Sequence, residues 1–204
     1  IVSPFDKESY INKVKRIKEE IYKGNLLQCV LSRSIEIESD ITPVNAYRNL
    51  RRKNPSPYMF FLDYGDFVIY GASPEVMVKV KGNCIIVRHI AGTRKRGKDA
   101  AEDNFLEKEM KTDEKERAEH LMLVDLGRND VGKVCAGGTV TIPEMMVTEK
   151  YSRVMHLVSE VQGILATGKK TKDAIKATFP AGTVSGAPKI QAIKTIEQLE
   201  EKRR

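Results

Sequence analysis

The sequence predicts an α+β fold in which antiparallel β-sheets pack as a sandwich or in layers, with flanking helices. Two pairs of alternating segments, 58–63 with 67–71 and 76–80 with 84–90, are each separated by a short turn containing glycine, which is typical of β-hairpins. Segments with helical spacing of apolar residues lie around these hairpins at irregular intervals. Hairpins mixed with irregularly placed helices favour antiparallel sheets over an alternating βαβ fold.

Each element is predicted from local spacing and from start or stop signals. Apolar residues recur at helical spacing up to Gly24, which predicts a helix over 6–23. Residues 27–37 alternate between apolar and polar side chains, which predicts a strand. Thr42 and Pro43 form a helix-start signal. The other predicted elements are a helix over 42–53, a loop over 91–98, a helix over 100–126, extended segments over 139–142 and 154–164, a helix over 171–178, a loop over 179–186 and a helix over 187–201.

The length of 204 residues is enough for a domain with a hydrophobic core, and we treat residues 1–204 as one domain. The net charge is +7, from 35 Lys and Arg against 28 Asp and Glu, which suggests an anionic partner such as nucleic acid. Both signs mix within most segments, however, and no zinc-finger or RRM-type motif is present. We therefore expect no nucleic-acid partner. A basic nucleic-acid-binding module stays as the competing hypothesis from a different functional class.

Composition also argues against other classes of protein. No stretch approaches the ~20 apolar residues of a membrane span, so no membrane partner is expected. Cys29, Cys84 and Cys135 lack CxxC spacing, which fits a reducing compartment such as the cytoplasm and neither a disulfide framework nor a zinc site. The chain begins without Met and its last residues carry no terminating signal, so we expect a segment of a longer protein.

Several polar residues are candidates for a functional site, and each has a simpler structural interpretation. Glu116 and Glu119 lie three residues apart on a predicted helix, so their carboxylates share a face that could hold Mg²⁺ or simply meet solvent. His156 lies in an apolar strand, where it is either a core residue or an acid/base group. Glu75 begins a predicted strand and indicates nothing by itself.

Two loops are rich in glycine. Residues 92–99 imitate a phosphate-binding P-loop, but Asp99 stands where that loop needs Ser or Thr, so we reject a nucleotide hydrolase. In the loop over 179–189, Ser185 is predicted to cap the next helix, whose N–H groups could attract a carboxylate. The density of small residues there favours a close approach of the backbone to a ligand over a simple capped loop.

Six segments taken together resemble the chorismate-utilising enzyme family, in the family's order and across essentially the whole chain. They are GNLLQCVLSR (24–33), ASPE (72–75), IAGTR (90–94), EHLMLVDLGRND (119–130), VMH (154–156) and FPAGTVSGAPK (179–189). The resemblance implies a reaction in which ammonia attacks C2 of chorismate, the C4 hydroxyl leaves, and elimination of pyruvate gives anthranilate. It also implies a Mg²⁺ cofactor and a glutamine amidotransferase subunit that supplies the ammonia, and hence a hetero-oligomer.

The resemblance further implies roles for individual residues. Glu116 resembles the family's magnesium ligand and Glu119 its neighbour. Glu75 matches the general acid for departure of the C4 hydroxyl, so we expect burial to raise its pKa. His156 matches the histidine of the pyruvate-elimination step, either as a base or as an orienting donor. The expected cradles for the carboxylates of chorismate are the Gly92–Thr93 turn and the loop that contains Gly182, Thr183 and Ser185.

Gln28 and Ala91 distinguish between branches of the family. Isochorismate and salicylate enzymes carry Lys where this chain has Gln28, and Gln cannot be a base, which fits ammonia as the nucleophile. Many aminodeoxychorismate synthases carry a nucleophilic Lys at the position of Ala91. Anthranilate formation is therefore favoured, with the aminodeoxychorismate and isochorismate or salicylate branches as alternatives. The family's catalytic domain continues past the position of Arg204, so we expect this chain alone to be inactive.

Overall fold

The computed structural model describes residues 6–151 and 153–201. Among these residues it contains helices and strands in mixed order. The helices are α1 (Lys7–Tyr22), α2 (Pro43–Lys53), α3 (Ala100–Thr112), α4 (Glu114–Gly132), α5 (Thr171–Thr178) and α6 (Lys189–Leu199). The strands are β1 (Gln28–Cys29), β2 (Tyr58–Asp63), β3 (Val68–Ser73), β4 (Lys79–Lys81), β5 (Cys84–Lys95), β6 (Thr141–Lys150), β7 (Val154–Ile164) and β8 (Gly186–Ala187).

The largest sheet is antiparallel, with the strand order β4-β5-β7-β6. Its centre is the pairing of β5 with β7, which runs from Cys84 opposite Ile164 to Lys95 opposite Val154. Burial alternates along most of both strands, so one face of this sheet is apolar and covered. A β2–β3 hairpin and a short β1–β8 pair form two further antiparallel sheets. The predicted α+β class with antiparallel sheets and flanking helices is confirmed.

Helix α4 covers the apolar face of the large sheet. Ile85 and Val87 of β5 and Val161 of β7 form one buried cluster with Val124 and Val131 of α4. Each side chain of this size contributes about 1.5–3 kcal/mol when it leaves water, so the cluster is enough to anchor the helix on the sheet. The anchored helix presents its first turns toward the end of β5.

The single helix predicted over 100–126 is two helices in the structure. Asp113 separates them because its backbone is extended, with ψ 111°, and cannot continue α3. Its side chain instead caps α4, since Oδ1 accepts a hydrogen bond from the N–H of Glu116 at 3.1 Å. The break turns the chain, and Glu116 therefore lies in the first turn of a new helix.

Two other predictions about local structure were wrong. The loop expected over 91–98 is largely strand, because β5 continues to Lys95 by pairing with β7. The strand expected over 27–37 is restricted to β1, and the residues from Val30 to Asp40 are irregular. Ile35 and Ile37 are 55% and 67% exposed, so the alternating pattern there has no buried face in the described chain.

The remaining elements were predicted with shifts at their ends. Both hairpins, α1, α2, β7 and α5 lie where the sequence indicated, while β6 runs further than the extended segment expected over 139–142. None of the helices in the described part of the chain is long and apolar enough to cross a membrane.

Candidate active site

A cavity of about 370 Å³ lies where the end of β5, the first turns of α4 and the loop before α6 meet. This volume is within the range of ~300–1,000 Å³ common for small-molecule sites. Most of the residues that line it carry oxygen or expose backbone, and an apolar floor completes it. They are Gln28, Ile90, Ala91, Gly92, Thr93, Glu116, Glu119, Leu123 and Thr183.

Glu116 and Glu119 form the acidic wall of this cavity. Both project from α4, as their spacing of three residues predicts. Oε1 of Glu116 accepts a hydrogen bond from Arg94 at 3.2 Å, and the residue is partly buried, whereas Glu119 is exposed. The wall thus combines one restrained carboxylate with one solvated carboxylate.

Gly92 allows the backbone of β5 to approach this wall. It is the extra residue of a β-bulge, since Ala91 pairs with Leu157 and Thr93 pairs with His156. Its φ is +61°, and an added Cβ would lie 3.4 Å from Oε2 of Glu116. A side chain here would therefore combine backbone strain with crowding of a site carboxylate.

Gln28 reaches the cavity because β1 pairs with β8. Gln28 lies opposite Ala187, and Cys29 lies opposite Gly186. An added Cβ on Gly186 would lie 2.3 Å from the carbonyl oxygen of Gln28, so this approach also requires glycine. The Oε1 atom of Gln28 is buried and accepts no hydrogen bond from the described residues. An amide oxygen in that position is suited to a ligand that donates a hydrogen bond.

The loop before α6 contributes Thr183 to the cavity, but its other predicted members lie elsewhere. Gly182 and Thr183 belong to a single 3₁₀ turn, Gly182–Val184. Gly182 is buried, and an added Cβ would lie 2.1 Å from Leu126. The hydroxyl of Ser185 donates to the carbonyl of Ala181 at 2.9 Å.

The predicted capping of α6 by Ser185 is wrong. Pro188 occupies the N-cap position, with no side-chain cap hydrogen bond. Ser185 is 2% exposed and is absent from the lining of the cavity. Its side chain therefore stabilises the turn, and its backbone is engaged as well, since its N–H donates to Gly182 at 3.2 Å and its carbonyl accepts from Val30 at 2.9 Å. The predicted contact of Ser185 with a substrate carboxylate has no support in this arrangement.

Glu75 lies in a second, adjoining cavity of about 250 Å³. Thr183 lines both cavities, and the N–H of Ile90 hydrogen-bonds to Glu75. Burial raises the pKa of the Glu75 carboxyl, and the hydrogen bond from Ile90 opposes that shift. The direction is the one expected for a group that must carry a proton. Gly182 lines this second cavity as well.

His156 is connected to the first cavity without lining it. Its Nδ1 lies 3.0 Å from Oγ1 of Thr93 and 3.2 Å from the carbonyl oxygen of Gly92. Because a carbonyl can only accept, a hydrogen bond to Gly92 requires a proton on Nδ1. The ring also contacts Tyr151 edge-on, with centroids 5.7 Å apart.

Sequence reasoning missed three residues that support these cavities. Arg94 holds Glu116, and Lys189 forms a buried ion pair with Asp130, with Nζ 2.5 Å from Oδ2. Asp130 lines the second cavity, and Lys189 also donates to the carbonyl of Thr178 at 2.9 Å. The position of Lys189 directly after the small-residue loop was the sequence signal that could have identified it. The mixing of both signs of charge within most segments did not single out any basic residue.

His89 is a further buried group beside the second cavity. Burial is the main cause that lowers its pKa to about 4, so the imidazole is neutral at pH 7. Its ring packs against α4 at Gly127, where an added Cβ would lie 2.2 Å from Nε2. The position explains why α4 has a glycine in its interior.

The first cavity offers the oxygen donors that Mg²⁺ prefers. Magnesium takes one or two protein carboxylates and completes its shell with water and substrate oxygens, and Glu116 and Glu119 fit that requirement. No cluster of three or more His, Cys, Asp or Glu suited to a metal occurs within residues 6–151 and 153–201. The residues therefore fit a partial magnesium site in which water or oxygens of a ligand complete the shell.

The chain as a whole matches a known family. The chain belongs to the chorismate binding enzymes, whose family profile matches residues 1–204. The resemblance inferred from the six sequence segments is therefore confirmed.

Individual relatives narrow the similarity further. The chain is 54% identical to anthranilate synthase component 1 from Spirochaeta aurantia over 95% of its own length, and 51% identical to that from Pseudomonas putida over 97%. It spans 40% of the length of each of these two relatives. Particular activities, substrates and partners are therefore inferences for this chain.

Two solved structures are also similar to this chain, and the anthranilate synthase structure matches better than the isochorismate synthase structure. Anthranilate synthase component I from Streptococcus pneumoniae TIGR4 matches with a TM-score of 0.85 and 43% identity, covering 98% of this chain and 44% of that one. A protein described as a 2,3-dihydroxybenzoate-specific isochorismate synthase from Bacillus anthracis matches with a TM-score of 0.73 and 28% identity, covering 98% and 55%. The isochorismate synthase is thus the more distant match.

Proposed function

We propose that this chain is the chorismate-binding part of an anthranilate synthase large subunit, a magnesium-dependent lyase that converts chorismate and ammonia to anthranilate and pyruvate. One observation carries the proposal. Gln28 and Ala91, the two positions that distinguish the branches of the family, line the same cavity as Glu116 and Glu119. Neither side chain can act as a base or a covalent nucleophile, which suits ammonia as the attacking group.

Glu116 and Glu119 would hold Mg²⁺ in this cavity together with the ring carboxylate of chorismate. The ion would offset the repulsion between the protein carboxylates and that of the substrate. Gly92, Thr93, Gly182 and Thr183 are proposed to cradle the substrate. Thr93 and Thr183 both line the first cavity and carry hydroxyl donors.

Glu75 is proposed as the general acid for the first step. Ammonia forms the C–N bond at C2, the C1=C2 and C5=C6 double bonds shift to C1=C6 and C4=C5, and the C4–O bond breaks. Glu75 gives its proton to the departing hydroxyl, which leaves as water, and the new ammonium group returns a proton to solvent. The raised pKa of Glu75 supports this role because it keeps the carboxyl protonated at higher pH.

His156 is proposed to assist the second step. The proton at C2 is removed, its electron pair forms the C2–C3 double bond, and the C3–O bond to the enolpyruvyl group breaks. The enolate of pyruvate leaves and takes up a proton at its methylene carbon to become pyruvate, and the ring becomes aromatic. The contacts from His156 to Thr93 and Gly92 support a role at that end of the cavity.

A glutamine amidotransferase subunit, component II, is the proposed source of ammonia, which makes the active protein a heteromer. The cytoplasmic location expected from the cysteine pattern stays a prediction. The proposed partner rests on the similarity to anthranilate synthase component 1.

The decisive experiment is an assay of the intact protein with chorismate, Mg²⁺ and ammonium, followed by anthranilate fluorescence. Appearance of anthranilate and pyruvate in equal amounts is the expected result. Formation of 4-amino-4-deoxychorismate would move the protein to the folate branch, and isochorismate or salicylate would contradict the interpretation of Gln28. Salt-sensitive binding of DNA or RNA without any turnover of chorismate would favour the nucleic-acid-binding alternative.

A further inference from the structure

Arg94 holds the carboxylate of Glu116 at the wall of the first cavity. Its Nη1 donates to Oε1 of Glu116 and to the carbonyl of Thr93, both at 3.2 Å. Its Nε donates to Glu109 at 3.2 Å, and its Nη2 donates to Asp113 at 3.5 Å. Every nitrogen of the guanidinium is therefore engaged, so the group cannot turn away from Glu116 without breaking other contacts.

The charges around Arg94 leave Glu116 able to attract a cation. Three carboxylates, from Glu109, Asp113 and Glu116, surround the one guanidinium. The group as a whole is negative, because three carboxylates face the single positive charge of Arg94. A divalent cation beside Glu116 would therefore meet a negative local field despite the neighbouring arginine.

The two oxygens of Glu116 face different neighbours. Arg94 binds Oε1, while Oε2 faces Gly92, which lines the cavity. A carboxylate has lone pairs for several contacts, so a bond from Arg94 to Oε1 leaves Oε2 able to bind another group. Carboxylates that bind metals are commonly held in this way by an outer hydrogen-bond partner.

Asp113 connects this arrangement to the backbone of α4. Its Oδ1 accepts from the N–H of Glu116 at 3.1 Å, and its Oδ2 contacts Arg94. The backbone and the side chain of Glu116 are thus restrained by the same pair of residues.

We propose that Arg94 is a positioning residue that orients Glu116 so that Oε2 is presented to a divalent cation in the cavity. The inference rests on the proposed function, since it takes Glu116 as a metal ligand. It adds that the affinity for the metal depends on a side chain outside the lining of the cavity.

Arg96 provides a matched control. It directly follows β5, two residues after Arg94, and binds Asp103 on α3, with Nε 3.0 Å from Oδ2. It therefore ties the end of β5 to a neighbouring helix as Arg94 does, but neither Arg96 nor Asp103 lines either cavity. A purely structural effect of losing an arginine at this end of β5 should appear in both variants.

The test is direct binding of Mn²⁺, which prefers oxygen ligands as Mg²⁺ does, measured from the electron paramagnetic resonance signal of free Mn²⁺ with the intact protein and no chorismate. We expect Arg94→Met to weaken binding about 10–100-fold and Arg96→Met to leave it unchanged. Arg94→Lys should lie between wild type and Arg94→Met, because a single ammonium cannot span three carboxylates. Glu116→Gln should weaken binding at least as much as Arg94→Met.

The outcomes separate this inference from the proposed function. If Glu116→Gln weakens Mn²⁺ binding but Arg94→Met behaves like Arg96→Met, the positioning role is overturned and the metal site stands. If wild type and Glu116→Gln bind Mn²⁺ equally, or wild type binds none, the positioning role of Arg94 and the proposed role of Glu116 as a metal ligand are both overturned. If Arg94→Met does not fold, as judged by circular dichroism, the Mn²⁺ affinity of Arg94→Lys is the deciding measurement. An affinity of Arg94→Lys equal to that of wild type would overturn the positioning role of Arg94.

Discussion

Thr93 and His156 lie directly opposite each other across β5 and β7, with Oγ1 of Thr93 3.0 Å from Nδ1 of His156. The bulge at Gly92 creates this pairing, because one extra residue in β5 shifts every later partner by one position. Thr93 lines the cavity and His156 does not. The pair therefore connects a residue at the cavity to a titratable group behind it.

We expect His156→Ala to slow elimination of pyruvate more than amination. The amino intermediate should accumulate because the contacts of Nδ1 with Thr93 and Gly92 are lost while Glu75 remains. Chromatography and mass spectrometry of quenched reactions of the intact protein would detect the intermediate. Loss of all chemistry without accumulation would place His156 earlier in the reaction.

Gly92→Ala should impair the site beyond its effect on stability. Gly92 and Gly82 have similar φ values, +61° and +63°, so an alanine at either should cost about 1–2 kcal/mol of folding free energy. Only at Gly92 would the new Cβ meet site atoms, with Oε2 of Glu116 at 3.4 Å, since nothing lies within 4 Å of that position on Gly82.

Gly82→Ala is therefore the control for backbone strain. Denaturant unfolding should show a loss of stability for Gly92→Ala at least as large as for Gly82→Ala, because the new Cβ at Gly92 also lies 3.3 Å from Cγ of the buried Met110. The Mg²⁺ concentration for half-maximal activity should rise for Gly92→Ala alone. Equal magnesium dependence in both variants would show that the space beside Oε2 is not required.

Lys189→Met should strongly destabilise the fold. Both members of the Lys189–Asp130 pair are buried, with side chains 6% and 7% exposed, so the change would leave the charge of Asp130 buried beside only the exposed Lys133. Loss of one partner of a buried pair typically costs about 3–5 kcal/mol, and partial compensation by Lys133 should place the loss near the lower end.

Lys133→Met tests whether the effect depends on burial. Lys133 contacts the same aspartate at 2.9 Å, but its side chain is 52% exposed, so its loss should cost less than about 1 kcal/mol. Chemical denaturation of the three proteins measures both changes. Similar losses from Lys189→Met and Lys133→Met would mean that burial of Lys189 does not set the strength of the pair.

Glu75→Gln should separate stability from catalysis through its dependence on pH. The folded-state pKa of Glu75 is raised above the ordinary value of 4.5, so the folded protein favours the protonated carboxyl. The contribution of the Glu75 carboxyl to the free energy of unfolding is fully present below pH 4.5. It is lost as the pH rises through the higher folded-state pKa. The amide of Glu75→Gln carries no charge, so the stability of the variant does not fall in this way as the pH rises.

The stability of Glu75→Gln relative to wild type should therefore improve between pH 4 and pH 8, although the variant can no longer donate a proton to the departing hydroxyl. Denaturant unfolding at several pH values and the anthranilate assay together check the prediction. A difference in stability that stays constant over this range would contradict the raised pKa.

Sequence periodicity predicted the elements whose partners are close along the chain. The β2–β3 and β4–β5 hairpins and helices α1, α2 and α5 depend on local spacing and turn residues, and they were found near their expected positions. The segment 27–37 carried an equally clear alternation, but strand structure needs pairing with a second strand, and within the described residues the pairing with β8 covers Gln28 and Cys29. Local pattern could not distinguish these cases.

In the candidate site, too, local sequence predicted some relationships and distant partners set the others. Glu116 and Glu119 were predicted to share a helix face, and they do, because that relation follows from helical geometry alone. The loop expected around Gly92 is instead a bulged strand, since pairing with β7 satisfies its backbone hydrogen bonds. Arg94 was missed because its contacts reach Glu109 and Glu116 across a helix break that spacing does not reveal.

The sequence by itself determined which chemical groups are available, namely carboxylates, an amide in place of a lysine at Gln28, and a loop of small residues, together with the family to which they belong. Only the tertiary structure decided which of them face one cavity. The bulge at Gly92 set the register that puts Thr93 opposite His156, and the cap at Asp113 started α4 so that Glu116 faces Arg94. The physical reason is that strand register and helix breaks depend on hydrogen-bond partners distant in sequence, which no local pattern records.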